Sequence, residues 1–283
     1  MSDATYNRRE MLAAAAGLAA VTGFATTAKA TTAKAQATRV PGVQLYTVRD
    51  SMAVDVEKTL QGIAGIGYKE VEFAGYFTRT AKEIRDMLAR YGLTSPSTHV
   101  DGETVQDDPN PFVELSAEAG HEYVTIAYMQ EQNRQSIDDY KRWAEVANRL
   151  GEACQRNGIR AAYHNHEFEF QAIDGVVPFD ILVNETDADL LDFEIDFFWV
   201  AEAGWDIREV LAMAPERMSL SHIKDRNAAG QMVDVGDGEI DFAGILEDPV
   251  AASIKHCFVE HDHPPNPFQS VAASHYTLKS ILD

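Results

Sequence analysis

Imidazole and carboxylate side chains stand where short apolar runs of the chain end. Runs of this length are typical of buried strands, and an unpaired charge buried at the end of one costs several kcal/mol. A divalent cation held by these groups would remove that cost. Mixed imidazole and carboxylate donors suit Mn²⁺, Co²⁺, Zn²⁺ or Fe²⁺, so the pattern predicts one divalent metal ion. The imidazole and carboxylate side chains concerned are Glu72, His99, His164, His166, Glu167, Glu169, Glu194, Asp196, His222, Asp225, Glu260, His261, Asp262 and His263, and the cationic Lys224 and Arg226 stand among them.

The period of a strand decides which of these side chains share a face. His164 and His166 lie two residues apart and therefore face the same way. The same holds for Glu194 and Asp196 in the next apolar run. Each of these two runs is thus expected to present a pair of metal-binding groups on one side.

Eight short apolar runs alternate with helical patterns, which predicts parallel β/α units. Eight units in about 250 residues indicate an α/β fold, the single-domain (β/α)8 TIM barrel, in which the carboxyl ends of the strands meet and build the active site. An open doubly wound sheet is expected to carry a glycine-rich phosphate loop after its first strand, and residues 44–50 contain no glycine. The predicted strands cover residues 42–47, 70–73, 95–100, 123–129, 160–164, 192–196, 218–223 and 256–260, and the predicted helices cover 54–66, 80–91, 111–119, 137–157, 207–214 and 268–282.

The first 37 residues have the pattern of an export signal followed by a short linker, which leaves residues 38–283 for the barrel. Arg8 and Arg9 precede an Ala-rich apolar stretch at 11–25 and several A-x-A cleavage patterns. The paired arginines resemble the bacterial twin-arginine signal, with an ordinary secretory signal as the alternative. The stretch is shorter than the roughly 20 residues that span a bilayer. These features predict a periplasmic or secreted protein with no membrane partner beyond export.

The charge balance limits the classes of partner. The chain has 45 acidic and 24 basic residues and a formal net charge of −21. Such a surface repels nucleic acid backbones and anionic membranes, so we expect no nucleic acid partner.

The chain has two cysteines, Cys154 and Cys257, which are too few for a thiolate metal site. Two buried free thiols are the favoured interpretation, with a disulfide as the alternative. The sequence does not determine the oligomeric state.

Five segments together resemble the sugar isomerase/epimerase superfamily of xylose-isomerase-like TIM barrels, which also includes endonuclease-IV-like enzymes. The resemblance covers essentially the whole chain after the export signal. Its motifs are moderately specific for the superfamily and poorly specific for the substrate. The segments are Tyr163-His164-Asn165-His166-Glu167-Phe168-Glu169-Phe170, Glu194-Ile195-Asp196-Phe197-Phe198-Trp199, His222-Ile223-Lys224-Asp225-Arg226, Val235-Gly236-Asp237-Gly238-Glu239-Ile240-Asp241-Phe242 and Val259-Glu260.

The resemblance implies a metal held by the last four barrel strands. Members of the superfamily usually use a Glu, an Asp, a His and a Glu from these strands, and Asp196, His222 and Glu260 match the last three. The first position departs from the pattern, since His164-Asn165 stands where the family has Glu-Asn. Either His164 takes the ligand role, or one of three later side chains reaches the metal. Those three are His166, Glu167 and Glu169.

The implied activity is a metal-dependent isomerase or epimerase acting on a free sugar or keto-sugar by proton transfer next to a carbonyl. Lys224 and Arg226 are expected to neutralise developing negative charge, or else to pair with Asp225 or Glu239 and hold their loop. The catalytic candidates are Glu260, His166, Glu169 and Lys224, and the substrate-binding candidates are Glu72, His99, Trp199 and Arg226.

Three other functions fit parts of this pattern. A 3-keto-glycoside lyase or hydratase would use the same metal site, since its reaction also begins with proton abstraction beside a carbonyl. A non-catalytic periplasmic sugar-binding barrel has no need of a buried metal site. A phosphodiesterase of the endonuclease-IV kind is disfavoured by the net charge and the export signal. Export also favours a small sugar without a phosphate group as the partner molecule.

Overall fold

The computed structural model describes residues 39–283, which form a closed barrel of eight parallel strands with helices between them. The barrel strands are β1 (Pro41–Gln44), β2 (Glu70–Phe73), β3 (Thr94–Asp101), β4 (Tyr123–Tyr128), β5 (Arg160–His164), β6 (Leu191–Asp196) and β7 (Met218–Ile223), followed after the short pair β8 (Asp225–Arg226) and β9 (Met232–Val233) by β10 (His256–Val259). The ring runs β1-β10-β7-β6-β5-β4-β3-β2, and β8 and β9 form a separate antiparallel ribbon. The (β/α)8 prediction is confirmed. The predicted export signal lies outside the described residues.

Eleven α-helices belong to the described residues. The second predicted helix begins with a capping box, in which the Thr80 side chain accepts from the Glu83 backbone N–H and the Glu83 carboxylate accepts from the Thr80 N–H. It ends at Gly92, whose left-handed φ of 63° suits glycine. The helices are α1 (Arg49–Val54), α2 (Val56–Ile66), α3 (Ala81–Tyr91), α4 (Gly102–Val105), α5 (Asn110–Ala119), α6 (Ile137–Arg156), α7 (Pro178–Glu185), α8 (Phe197–Glu202), α9 (Ile207–Met213), α10 (Phe242–Glu247) and α11 (Pro267–Leu282).

The structure differs from the prediction at the first strand, in five short helices and in the β8–β9 ribbon. The predicted strand 42–47 stops early, because the Gln44 side chain accepts a hydrogen bond from the Tyr46 N–H at 3.0 Å and turns the chain. The predicted helices do not include α1, α4, α7, α8 and α10. Each of these five has at most eight residues, too few for a clear apolar period. Helix α8 follows β6 directly because the Asp196 carboxylate caps its first turn.

An apolar layer inside the barrel supports the polar residues. Ala162, Leu220 and Phe258, together with Tyr123, form a buried cluster of their own. Each of the first three lies two positions before His164, His222 or Glu260, on the same face of its strand. The strands therefore carry apolar side chains in the lower barrel and metal-binding groups at their carboxyl ends.

Two further expectations concern the described part of the chain. Within residues 39–283, no helix combines the length and the apolar character needed to cross a bilayer. Cys154 and Cys257 are both buried, and they do not pair with each other in the described structure. Burial raises the pKa of Cys154 to about 12 and that of Cys257 to about 11, so both are thiols at neutral pH.

Candidate metal centre and active-site pocket

Four side chains meet at the carboxyl ends of β5, β6, β7 and β10, and we call them the outer cluster. They are His164, Asp196, His222 and Glu260, and one ligand atom from each lies within 4.8 Å of the others. His164 Nε2 is 3.3 Å from Asp196 Oδ2. His222 Nδ1 is 2.8 Å from Glu260 Oε2 and 3.7 Å from Asp196 Oδ2. All four side chains are buried.

Backbone contacts orient two members of the outer cluster. Asp196 Oδ1 accepts from the Trp199 N–H at 3.0 Å, which leaves Oδ2 for the cluster. The Asn165 side chain accepts from the Asp196 N–H at 3.0 Å and holds the end of β6. His164 Nδ1 lies 3.2 Å from the carbonyl oxygen of Ala127, and a proton on Nδ1 leaves the Nε2 lone pair for a metal. Both ligand atoms are thus held in place before any ion binds.

The outer cluster fits a divalent metal ion. His222 Nδ1 and Glu260 Oε2 are 2.8 Å apart, yet among residues 39–283 Nδ1 has no hydrogen-bond partner. Such a short distance without a hydrogen bond is expected when the nitrogen and the oxygen both bind the same cation. Two imidazoles and two carboxylates suit the same metals that the sequence predicts, Mn²⁺, Co²⁺, Zn²⁺ or Fe²⁺.

Lys224 places a buried ammonium group beside this cluster. Its Nζ lies 2.8 Å from Glu260 Oε2 and 3.0 Å from both Asp196 Oδ2 and Asp262 Oδ1. Burial alone would raise the pKa of Asp196, but Lys224 and the neighbouring histidines hold it well below its usual range. Lys224 therefore pairs with the carboxylates of the site, and not with Asp225 as one sequence interpretation had it.

A second group, the inner cluster, lies on the other side of His222. It consists of Glu72, His99, Glu194 and His222, again with ligand atoms within 4.8 Å of one another. His222 Nε2 is 2.7 Å from Glu72 Oε2 and 3.3 Å from Glu194 Oε2. His99 Nε2 is 2.7 Å from Glu194 Oε2 and 3.3 Å from Glu72 Oε2. His222 is thus shared, with Nδ1 in the outer cluster and Nε2 in the inner one.

A cavity of about 600 Å³ opens over these residues. This volume suits a small ligand. A neighbouring cavity of about 580 Å³ is lined by Trp199 and Phe198 and shares His166 with the first. The polar side chains that line the first cavity include His99, His164, His166, Lys224, Glu260 and Asp262.

Some of the predicted site residues line the two cavities, and others are buried in the two clusters next to them. His99, His164, His166, Lys224 and Glu260 line the larger cavity, and Trp199 and Glu167 line the smaller one. Glu72, Asp196 and His222 lie fully buried in the two clusters.

Glu169 and Arg226 lie elsewhere. Neither residue is among those that line the two cavities described above. Glu169 is fully buried and accepts hydrogen bonds from the Tyr163 hydroxyl at 2.5 Å and the His166 N–H at 2.8 Å. Arg226 Nε donates to Glu202 at 2.7 Å, a different partner from the Asp225 or Glu239 that the sequence suggested.

Two of the histidines that line the larger cavity, His99 and His166, are neutral at neutral pH. Burial lowers the pKa of His99 to about 4 and moves the pKa of His166 well below its usual range. The ring of His166 stacks on Phe168 at 5.2 Å and 6°, and its Nδ1 has no hydrogen-bond partner in the described chain. Stacking on Phe168 therefore positions the His166 ring, and its Nδ1 atom is not occupied by a hydrogen bond within the described chain.

The sequence patterns give no role to Gln44 or Tyr128, and they mark Asp262 only as one of the polar residues at the end of the last strand. Gln44 Nε2 donates to Glu72 Oε2 at 2.8 Å, and Asp262 and Tyr128 line the larger cavity. Asp262 follows Glu260 by two positions, a spacing that could have marked it as a site residue. The contribution of Gln44 depends on the pairing of β1 with β2, which no local pattern reveals.

Comparison with known proteins identifies the class to which this fold and site belong. The chain belongs to the xylose isomerase-like TIM barrel family, whose family model matches residues 60–250. No curated protein matches the sequence.

Among solved structures, a sugar phosphate isomerase/epimerase from Parabacteroides distasonis ATCC 8503 is 24% identical with a TM-score of 0.76, covering 89% of this chain and 97% of that one. The IolI protein with a bound zinc atom is 14% identical with a TM-score of 0.69, covering 86% of this chain and 98% of that one. An L-ribulose 3-epimerase is 14% identical with a TM-score of 0.64, covering 85% of this chain and 93% of that one. At these identities the likeness shows a common fold.

Proposed function

We propose that the protein is a divalent-metal-dependent isomerase or epimerase that acts on a free sugar or keto-sugar by moving a proton next to a carbonyl. The outer cluster carries this proposal, because it combines two imidazoles and two carboxylates at a cavity of about 600 Å³. The epimerase and isomerase names of similar folds, and the zinc in one of them, support the same class.

The residues around the cavity can hold and move a proton. A bound divalent ion would polarise a substrate carbonyl and stabilise negative charge on its oxygen. Burial alone would raise the pKa of Glu260, but Lys224 and His222 lower it far below its usual range. Glu260 is therefore ionised at neutral pH, and as a proton acceptor it would gain basicity when substrate weakens its contact with Lys224. His166 supplies a neutral imidazole on the wall of the same cavity. Removal of a proton by one group and its return by the other is the arrangement that epimerisation needs.

The lining of the larger cavity favours a neutral sugar. Among its described lining residues, Lys224 is the one Lys or Arg side chain, and its ammonium already contacts three carboxylates. A phosphate group is usually bound by Arg, Lys or a helix N-terminus with donors to spare. We therefore infer that the substrate carries no phosphate.

The test is carbon-bound hydrogen exchange in deuterated water, followed by NMR, for a panel of free aldoses, ketoses and 3-keto-sugars. We expect exchange next to the carbonyl with the metal-loaded protein, and a loss of at least about 100-fold in Glu260→Gln and His166→Asn. Arg226→Met, a change away from both cavities, is the control and should keep its activity. Metal content is measured in parallel.

The possible results separate the candidate functions. Elimination or hydration products without isomerisation would replace the isomerase with the lyase or hydratase. Sugar binding without turnover would favour the binding barrel. A folded protein that takes up no metal would contradict the proposal as a whole.

We also propose that the protein works in the periplasm or outside the cell, from the twin-arginine pattern at Arg8 and Arg9. In a host with a twin-arginine pathway, wild-type chain should reach the periplasmic fraction, and Arg8→Lys with Arg9→Lys should stay in the cytoplasm. Retained export of the double variant would point to an ordinary secretory signal.

A further inference from the structure

We propose that the inner cluster is a second metal site, in which Glu72, His99, Glu194 and His222 hold a divalent ion of their own. This ion would be distinct from the one in the outer cluster, and the two sites would share the His222 ring. The inner ion does not depend on the proposed reaction.

The spacing of the four ligand atoms fits a tetrahedral ion. They are His99 Nε2, His222 Nε2, Glu72 Oε2 and Glu194 Oε2, and the four imidazole-to-carboxylate distances are 2.7, 3.3, 2.7 and 3.3 Å. Metal–ligand distances of about 2.0 Å give a tetrahedron whose edges are about 3.3 Å. The four imidazole-to-carboxylate edges thus differ from this value by at most 0.6 Å, and the remaining two edges are no longer than 4.8 Å.

Unsatisfied oxygens provide independent support for a ligand at this place. Glu72 and Glu194 are both fully buried, and among residues 39–283 their Oε1 atoms have no hydrogen-bond partner. Buried carboxylate oxygens are normally paired, because leaving one unpaired costs the full desolvation penalty. A divalent ion would balance the charge of the two carboxylates, and either carboxylate could also bind it through its second oxygen.

The surroundings show a difference between the two clusters. In the outer cluster, the Lys224 ammonium already contacts Asp196 and Glu260. In the inner cluster, the contacts within the described chain are the two histidines and the Gln44 amide, whose Nε2 lies 2.8 Å from Glu72 Oε2. No Lys or Arg side chain contacts the two inner carboxylates within the described chain, so a metal ion there would compete with no ammonium group.

The geometry assigns different tasks to the two ions. Both sites have four protein ligands, but of the inner four only His99 lines the larger cavity, which favours a structural ion there. The outer site faces the cavity through His164 and Glu260, where a substrate can approach. With both sites filled, His222 would lose the protons of both ring nitrogens to solvent and would bind one ion through each nitrogen as an imidazolate.

Zinc is a suitable probe, because it accepts tetrahedral imidazole and carboxylate sites. The protein would be stripped with a chelator, reloaded with Zn²⁺, freed of excess metal by gel filtration and analysed for zinc per chain. We expect two equivalents in the wild type. Crystals of the same material should give two anomalous zinc peaks about 6 Å apart, on either side of the His222 ring, from Zn–N distances of about 2.0 Å.

Variants assign the zinc equivalents to the clusters. Glu194→Gln and His99→Gln alter the inner cluster alone and should each bind one equivalent. Glu260→Gln alters the outer cluster alone and should also bind one. Glu169→Gln, which changes an equally buried glutamate outside both clusters, is the matched control and should keep two. Circular dichroism checks that each variant is folded, and the wild-type anomalous map decides the question if the inner variants fail to fold.

The results distinguish this inference from the proposed function. One wild-type equivalent that is lost in Glu260→Gln and kept in Glu194→Gln overturns the inner site and leaves the proposed function standing. In that case Glu72 serves only to orient His222 by a hydrogen bond. One equivalent lost in Glu194→Gln and kept in Glu260→Gln supports the inner site and removes the basis of the proposed function. A wild type without zinc overturns both.

Discussion

At the scale of single residues, Lys224 determines the electrostatic balance of the outer cluster. Its ammonium is 2% exposed and lies within 3.0 Å of carboxylate oxygens from Asp196, Glu260 and Asp262. Removing one partner of a buried ion pair leaves uncompensated charge, at a cost of about 3–5 kcal/mol. A metal ion in the outer cluster would neutralise two of the same carboxylates. The importance of Lys224 for stability should therefore depend on metal.

We predict that Lys224→Met lowers the free energy of unfolding of the metal-free protein by about 3–5 kcal/mol and that of the metal-loaded protein by clearly less. Urea denaturation with and without metal measures both. Lys255→Met is the matched control, since Lys255 donates one hydrogen bond, to the Tyr123 hydroxyl at 2.9 Å, and should cost about 1 kcal/mol in either state. Equal losses with and without metal in Lys224→Met would contradict the proposed metal position.

The buried Glu169 makes the free energy of unfolding depend on pH. Burial raises its folded-state pKa from 4.5 to about 8. The folded protein therefore retains a proton that the unfolded chain releases above pH 4.5. The stability contributed by this proton is fully present below pH 4.5 and is lost as the pH rises towards 8, by at most about 1.4 kcal/mol per pH unit.

We predict that Glu169→Gln removes this loss. Between pH 5 and 8 the unfolding free energy of the wild type should decline relative to that of the variant, as measured by urea denaturation at intervals of one pH unit. Glu122→Gln changes an exposed glutamate and should leave the wild-type slope unchanged. Parallel curves for wild type and Glu169→Gln would show that Glu169 is already ionised in the folded protein.

At the scale of elements, the segment between β7 and α10 depends on a single buried carboxylate. Asp225 is 1% exposed and accepts hydrogen bonds from the N–H groups of Gly236 at 2.8 Å and Gly238 at 3.0 Å. It also accepts from the Arg226 N–H at 2.8 Å. Since Asp225 follows Lys224 directly, this arrangement holds the lysine at the cavity.

We predict that Asp225→Ala lowers the free energy of unfolding by about 3 kcal/mol, because several buried N–H groups lose an ionised acceptor. Hydrogen exchange should accelerate at the amides of Gly236 and Gly238 and little elsewhere. Asp241→Ala, in the same segment, removes a helix cap with one hydrogen bond, to the Gly244 N–H, and should cost about 1 kcal/mol. Unchanged exchange at Gly236 in Asp225→Ala would refute this role.

At the scale of the whole molecule, the barrel closes where β1 meets β10. Gly42 pairs with Phe258 there, and a Cβ added to Gly42 would lie 2.6 Å from the Phe258 ring and 3.0 Å from the Cys257 carbonyl oxygen. Glycine is thus needed for close approach at this seam. Because β1 also carries Gln44 and β10 leads into Glu260, closure brings both clusters into position.

We predict that Gly42→Ala lowers the free energy of unfolding by about 1–3 kcal/mol through overpacking. Combining it with Phe258→Leu should recover part of the loss, which a double-mutant cycle measures. Gly65→Ala, in α2 with no atom within 4 Å of the added Cβ, should instead stabilise by up to about 1 kcal/mol. A Gly42→Ala variant as stable as wild type would exclude tight packing at the seam.

Local patterns were sufficient to predict much of the barrel. The strands at residues 70–73, 160–164 and 218–223 have the predicted bounds, because each is a short apolar run between helices. The placement of Asp196, His222 and Glu260 at strand ends follows from the same runs. The choice among His164, His166, Glu167 and Glu169 did not, since the chain turns into a short 3-10 helix at Phe168–Phe170 and directs Glu169 towards Tyr163.

Local patterns are enough to predict the eight-unit order of the fold and the family, because apolar periodicity and short motifs are local properties of the chain. The position of His222 between two clusters and the pairing of Lys224 with three carboxylates become visible only in the folded barrel. Such contacts join residues far apart in sequence, for example Glu72 and His222, whose side-chain atoms are 2.7 Å apart. Their distances depend on barrel closure and on strand register, which no local pattern specifies.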